Sequence, residues 1–480
     1  MTQSKKLNLA DAALIVTSGM IGSGIFIVSA DISRTLGGPG WLLLAWAISG
    51  IMTVFAALSY GELAGMYPEA GGQYVYLKEA FNPLIGFLYG WTIFLVVQTG
   101  TLAAVAVAFA KFTGVLVPSL GEKSILLELG SFKISAAQLV GIASLLVLTI
   151  INSRGIQYGK LINRFFTSTK LIALFGIIVL GIFFFGSDDV WNANLSRFWE
   201  FGTYTKEDAG NVSVSPLTAI GLMSAIGVAL VGSLFSSDAW NNVTFIAGDI
   251  ENPKKNIPLS LVIGTLVVTV LYMLANIAYL KLLPFFGNPN ATDVLGQGLQ
   301  FPANDRVGTA AATMIFGGTA TVIMAVLIMI STFGCNNGIT LASVRVYQAM
   351  AQDGLFFEKM KHNNKYGVPG FALWVQFAWA AMLCLSGKYG DLLDYIMFAV
   401  MLFYILTIIG LFRLRKNKPD VPRPYKAFGY PVVPAIYIIL ATYFCLNLLY
   451  AKPLYSYPGL FIVLLGIPVY YFWKRNKVAE

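Results

Sequence analysis

Two charged residues, Lys170 and Asp238, sit inside long apolar stretches, FFTSTKLIALFGIIVLG and VGSLFSSDAWNNVTF. A charge at the centre of a membrane-crossing helix costs roughly 2.5 to 3.5 kcal/mol on insertion scales, so each marks a functional-site hypothesis by default. Asp238 is accompanied by Ser236, Ser237, Asn241 and Asn242. It either contributes charge to a binding site or is held by neighbouring amides for structure alone. Lys170 lies too deep to snorkel to the surface. Its ammonium needs oxygen acceptors, and hydroxyls such as Ser331 or Thr332 in MISTFGCNNG, or free backbone carbonyls, could supply them. A structural crosslink between helices is the competing reading. A third feature is the run Gly19, Gly22, Ser23, Gly24 at the centre of LADAALIVTSGMIGSGIFIVSADIS. Each glycine weakens a helix by about 1 kcal/mol, which favours a local break. The amides of Gly22, Ser23 and Gly24 would then form the positive start of a second half-helix, suited to a carboxylate. The carbonyls that end the first half, such as that of Met20, would face an ammonium. The alternative is a small-residue surface for close helix packing. The chemistry expected from these groups is recognition of a small charged solute, without covalent steps.

Elements able to hold such residues at depth follow from composition. The chain has 480 residues, 57% of them hydrophobic and 11% charged. Soluble proteins carry about 25% charged residues, so water is not the main solvent of this chain. Apolar stretches of 18 residues or more recur throughout, each long enough to cross a hydrocarbon core of roughly 30 Å. The first follows Lys5 and Lys6 without a clear cleavage site and is expected to be retained. Cys335, Cys384 and Cys445 fall in apolar spans with neither disulfide nor metal-ligand spacing, and the single histidine, His362, lies in a polar loop. HExxH and GxSxG are both absent. Neither an enzyme nor a cofactor or metal site is expected.

Twelve spans are predicted: Leu9 to Ser33, Trp41 to Met66, Leu84 to Leu116, Ser135 to Ser153, Ile162 to Phe185, Leu217 to Ala247, Leu259 to Leu283, Thr309 to Ala351, Gly370 to Leu385, Leu392 to Arg413, Val433 to Tyr450 and Gly459 to Trp473. The eighth is the longest, so it is expected to continue past the bilayer as an amphipathic extension. Placing both termini in the cytoplasm puts about twice as many Lys and Arg on the inner side as on the outer. The densest basic cluster, RLRKNKPDVPRPYK from Arg413 to Lys426, is read as an inner loop meeting anionic lipid head groups, not nucleic acid. Interrupted spans one and six stand at corresponding positions of two five-span halves, which points to an inverted repeat with a site at the membrane midplane. The fold class is an all-α polytopic membrane protein. One domain covers residues 1–480, with repeats at 9–185 and 217–413 and two further helices at 433–473.

The segments TSGMIGSGIF, YPEAGGQYVYLKEAF, FFTSTKLIAL, LFSSDAWNNVTFIAGDIENPKKNIP, ISTFGCNNG and PDVPRPYKAFGYPVVP occur in this order. Together they resemble the amino acid–polyamine–organocation superfamily, and within it the L-type amino acid exchangers and their bacterial relatives. That resemblance implies a sodium-symporter-like core of ten helices with helices 1 and 6 unwound. It implies that a substrate carboxylate meets Gly22, Ser23 and Gly24, and that its amino group meets carbonyls at Met20, Phe235 and Asp238. The aromatic at Phe235 would close the site toward the outside, and Lys170 would stand where related carriers hold sodium. The residue at Asp238 is glycine in many members that carry large neutral amino acids, so substrate range stays open. No cysteine lies between Phe112 and Ser135, where heteromeric animal members carry one, so a covalent ancillary subunit is not expected.

The leading expectation is a sodium-independent permease or exchanger of L-amino acids in the cytoplasmic membrane, working by alternating access. Its site residues would be Met20, Gly22, Ser23, Gly24, Phe235, Asp238 and Asn241, with Lys170 and Ser331 in coupling. Its partners would be the amino acid and membrane lipids. A polyamine or cationic amino acid carrier and a nutrient-sensing receptor on a transporter scaffold are the alternatives.

Overall fold

The computed structural model describes residues 6–129, 132–207, 212–385 and 389–478. Helix α1 (Leu9–Met20) starts at a capping box in which Asn8 and Asp11 satisfy each other's backbone amides. It stops at Ile21, and the chain resumes through a single 3₁₀ turn, Gly24–Phe26, into α2 (Val28–Leu36). The next two helices, α3 (Pro39–Met66) and the short α4 (Gln73–Ala80), lead to α5 (Pro83–Leu116). Proline at the first position of α3 and α5 fits the start of a helix, where its missing N–H costs nothing. An antiparallel hairpin of β1 (Ile125–Leu129) and β2 (Phe132–Ser135) precedes α6 (Ala136–Ser153). Helix α7 (Ile156–Val179) carries Lys170 and is followed by α8 (Asp188–Ser196) and a second antiparallel hairpin, β3 (Thr203–Lys206) with β4 (Val212–Ser215).

A second interrupted pair comes next. Helix α9 (Ala219–Ser236) ends abruptly, and one turn, α10 (Asn242–Phe245), follows before α11 (Pro253–Leu282). Ala239, within the interruption, has φ 63°, a left-handed conformation that an L side chain opposes by roughly 1 to 2 kcal/mol. The chain continues through α12 (Val294–Gln297), α13 (Val307–Phe316), α14 (Ala320–Gln352), α15 (Gly370–Leu385), α16 (Tyr389–Asn417), α17 (Val432–Ala451) and α18 (Pro453–Val478). Among the described residues, ten helical segments are long and apolar enough to cross a membrane, and α1 and α15 are shorter apolar helices. Large apolar side chains such as Ile172, Ile220 and Ile439 are exposed around the perimeter, as a lipid-facing surface requires.

One expectation changes: the span predicted from Thr309 to Ala351 is not one continuous helix, because α13 is separated from α14 by a turn at Gly317–Thr319, where Gly317 takes φ 60°. Two consecutive glycines in an otherwise apolar run leave the hydropathy unchanged while breaking the backbone. The basic loop also makes protein contacts that its charge count does not reveal. Arg415 grips the fully buried carboxylate of Glu62 with two nitrogens, Arg423 approaches it at 3.3 Å, and the Ala427 N–H donates to it at 2.7 Å. Arg423 also donates to the Leu414 and Lys418 carbonyls at the end of α16, and Lys418 pairs with Glu79. These cations fasten α16 and the following loop to α3 and α4.

Candidate functional site

Interrupting α1 frees its last carbonyls, and side chains from three helices converge on them. From α7, the Lys170 ammonium donates to the Ser18 carbonyl at 2.7 Å and the Ile21 carbonyl at 2.6 Å. From α14, the Ser331 hydroxyl lies 3.0 Å from the Ile21 carbonyl and 3.2 Å from that of Gly22. From α11, the Tyr272 hydroxyl lies 2.9 Å from the Met20 carbonyl and 3.0 Å from the Ser236 carbonyl at the end of α9. Lys170, Ser331 and Tyr272 are all buried. A buried ammonium with two carbonyl acceptors is satisfied without a carboxylate, which removes most of the penalty for carrying charge into an apolar medium.

Beyond the interruption the amides are the free groups. Among the described residues no acceptor meets the N–H of Ser23, Gly24 or Ile25, whereas the Gly22 N–H turns back to the Met20 carbonyl at 3.0 Å. Three unpartnered N–H groups opening a 3₁₀ turn offer donors to an anion. The two glycines differ in surroundings. A Cβ on Gly24 would stand 2.0 Å from the Ser236 Oγ and 2.8 Å from its Cβ, so Gly24 is where α9 presses against the broken segment. A Cβ on Gly22 would meet only the Cys335 sulfur, at 4.0 Å, an ordinary contact, so a methyl fits there without a clash.

Asp238 and Asn241 face a different set of partners. The Tyr404 hydroxyl donates to Asp238 Oδ1 at 2.6 Å, and Asn241 donates to Gln73 at 2.9 Å. These four residues line a small cavity with Tyr89, Thr92 and Gln98. Trp240, Tyr60 and Tyr404 pack edge to face or tilted around it. Phe235, at the end of α9, is partly buried against the core.

The structure therefore brings Met20, Gly22, Ser23, Gly24, Lys170 and Ser331 together at the break in α1, and places Asp238 and Asn241 in a neighbouring polar cavity on the far side of the α9–α10 interruption. Three details differ from expectation. The Met20 carbonyl is engaged by Tyr272 and by the Gly22 amide. Ser331 shares the Ile21 carbonyl with Lys170, and Thr332 donates back to Ile328 within its own helix. Asp238 is held by the distant Tyr404 hydroxyl as well as by the adjacent Ala239 amide. Sequence reasoning missed Tyr272, Tyr404, Gln73 and Gln98; tyrosines in apolar helices look like core residues, and their hydroxyl partners lie 36 to 252 positions away.

An apolar helical bundle in which two interrupted helices are bridged by the Tyr272 hydroxyl, one of them also capped by a buried ammonium, is the architecture of a multi-pass membrane permease. The chain belongs to the family described as Amino acid permease, whose profile it matches over residues 7–472. It is similar to the Serine/threonine exchanger SteT of Bacillus subtilis (strain 168), 28% identical over 99% of this chain and 98% of that protein. It is also similar to the b(0,+)-type amino acid transporter 1 of Mus musculus, 27% identical over 98% of this chain and 87% of the relative. The human Cystine/glutamate transporter is 28% identical over 97% of this chain and 85% of its own length. The chain is an amino acid transporter. Family and relatives are transporters and not enzymes, and the organocation reading is not favoured.

Proposed function

We propose that the protein exchanges or imports L-amino acids across the cytoplasmic membrane by alternating access, without sodium. In this reading twelve helices cross the bilayer: α1 with α2 forms the first, α9 with α10 the sixth and α14 the eighth. The first ten build two inverted five-helix repeats, and both termini are cytoplasmic. The substrate carboxylate lies at the free amides of Ser23 and Gly24, beside Gly22. The ammonium lies near the ends of α1 and α9, with Phe235 closing the site toward the outside. Asp238, Asn241 and their cavity set which side chains are accepted. Two of the relatives, a serine/threonine exchanger and a cystine/glutamate transporter, carry polar amino acids, which fits a side-chain cavity lined by polar groups.

The observation that carries the reading is the Lys170 ammonium bound to the Ser18 and Ile21 carbonyls. A cation linking the first and eighth helices would need those same oxygens, and a fixed ammonium already occupies them. At the end of the bundle that carries the amino terminus, Leu7 pairs with the backbone around Ile250, Asp11 with Arg164 at 2.5 Å, and Asp249 with Arg345 at 2.9 Å. These contacts hold that end shut and must part when the site opens there. The test is a panel of labelled amino acids offered to proteoliposomes with and without internal amino acid, in sodium and in choline. Uptake that rises with internal substrate and is unchanged in choline is expected. Strict dependence on sodium defeats the reading of Lys170, and failure of every amino acid to move defeats the reading as a carrier.

A further inference from the structure

The walls of the cavity beside Asp238 come from α4, α5, α16 and the interruption between α9 and α10, and most of its polar lining is already committed. Gln73 accepts from Asn241 and donates to Thr407 at 3.0 Å, Thr92 donates back to the Leu88 carbonyl at 2.8 Å, and Gln98 donates to Asn242 at 2.8 Å. The Tyr404 hydroxyl is engaged by Asp238. Tyr89 differs. It is 2% exposed, yet among the described residues its hydroxyl meets no hydrogen-bond partner. Asp238 has capacity of the complementary kind: a carboxylate offers about four acceptor positions, and the Tyr404 hydroxyl and the Ala239 amide take two. Tyr89 lies close enough to Asp238 to interact with its charge. The cavity therefore presents one unmet donor and one unfilled acceptor to whatever enters it.

Its size is as restrictive as its chemistry, with room for about one water molecule. On α5, Tyr89, Ile93 and Val97 reach the wall four residues apart, and from Ile93 to Val97 the helix takes a π turn, a local widening that recurs at functional sites. Phe403 packs edge to face on the Tyr89 ring at 5.4 Å, and both are buried, so the ring has little freedom to retreat. A side chain entering here can place one hydroxyl-sized group between Tyr89 and Asp238. Lysine or arginine would need room for several further heavy atoms. Leucine or phenylalanine would press hydrocarbon on both polar groups, and a side-chain carboxylate would meet the like charge of Asp238.

We infer that the substrate is an α-amino acid with a small hydroxyl-bearing side chain, of the serine and threonine type, and that Tyr89 is the residue that selects it. The inference rests on the reading of this cavity as the side-chain site. There the substrate hydroxyl donates to Asp238 and accepts from Tyr89, which completes both. Selection acts against isosteres. Valine has the shape of threonine with a methyl in place of the hydroxyl, and it would leave a buried donor and a buried acceptor without partners. A site built to hydrogen-bond a hydroxyl rejects the analogue lacking it far more strongly than an apolar pocket separates side chains by one methylene.

The test is uptake of labelled threonine, valine, serine, alanine, leucine and lysine, each measured as kcat/KM in proteoliposomes holding full-length wild type, Tyr89→Phe or Val97→Ala. In wild type, threonine should exceed valine and serine exceed alanine by about tenfold or more, with leucine and lysine lower still. Tyr89→Phe keeps the ring and removes the hydroxyl, so the threonine-to-valine ratio should fall by about fivefold or more, chiefly through KM. Val97→Ala takes two methyl groups from the wall and should raise leucine relative to alanine by about threefold or more. Equal values for threonine and valine in wild type, or a wild-type preference for leucine or lysine, overturn the inference. So does an unchanged threonine-to-valine ratio in a Tyr89→Phe that still carries alanine. Should Tyr89→Phe fail to fold, Val97→Ala decides, and an unchanged leucine-to-alanine ratio there overturns the size limit. Amino acids carried in any of these contrary patterns leave the carrier reading standing while this inference falls; if none is carried, both fall.

Discussion

Replacing Gly22 and Gly24 in turn separates packing from recognition at the break in α1. Gly24→Ala places a methyl carbon 2.0 Å from the Ser236 Oγ, well inside contact distance, so the 3₁₀ turn and α9 must move apart. Overpacking of this kind costs typically 1 to 3 kcal/mol. The same change at Gly22 meets nothing nearer than the Cys335 sulfur at 4.0 Å, and stability should stay within about 0.5 kcal/mol of wild type. Ligand affinity should order the variants differently. A methyl at Gly22 stands next in sequence to the unpartnered amides of Ser23 and Gly24, where the proposed carboxylate would sit. Losing one charge-assisted hydrogen bond there removes roughly 1.5 to 3 kcal/mol, or about ten- to a hundredfold in affinity. The assay is thermal unfolding of purified protein alongside binding of whichever amino acid the transport panel identifies. Ser236→Gly, which removes both clashing atoms, should return Gly24→Ala toward wild-type stability while leaving Gly22→Ala unaffected. Wild-type affinity in folded Gly22→Ala would refute the placement of the carboxylate at these amides, and an unchanged melting point in Gly24→Ala would refute the packing argument.

Glu62→Gln should destabilise the protein by about 3 to 5 kcal/mol, because it leaves Arg415 and Arg423 without the buried carboxylate they share; a thermal melt that loses less than about 1 kcal/mol would show the clamp to be dispensable. Ala239→Gly should raise stability by about 1 kcal/mol, since glycine adopts φ 63° without the side-chain penalty, and a lowered unfolding midpoint in denaturant would contradict it.

What the sequence made legible was the set of residues that violate their surroundings. Gly22, Ser23 and Gly24 interrupt an apolar helix, Lys170 and Asp238 put charge where hydrocarbon is expected, and each violation has a local signature. Partners across the fold had no such signature. Tyr272 and Tyr404 are the hydroxyls that receive the broken ends and hold Asp238, but an aromatic in an apolar span satisfies the hydropathy pattern whether or not its tip is bonded. The basic loop shows the converse: counting Arg413 to Lys426 gives the charge but not its destination, because the acidic residue beneath it, Glu62, lies more than 350 positions earlier. The turn at Gly317 escaped for a third reason, since glycine is mildly apolar and a hydropathy window runs straight across it.

The Tyr272 hydroxyl has one hydrogen and two carbonyls within reach, Met20 at the end of α1 and Ser236 at the end of α9. It can donate to either but not to both at full strength, so the two truncated helices compete for a single proton at one point on α11. Any displacement that draws α1 from α11 lets the hydroxyl swing wholly to α9, and the reverse displacement returns it. Either displacement leaves the hydroxyl one acceptor, so a relative shift of the two broken helices need not cost Tyr272 its hydrogen bond.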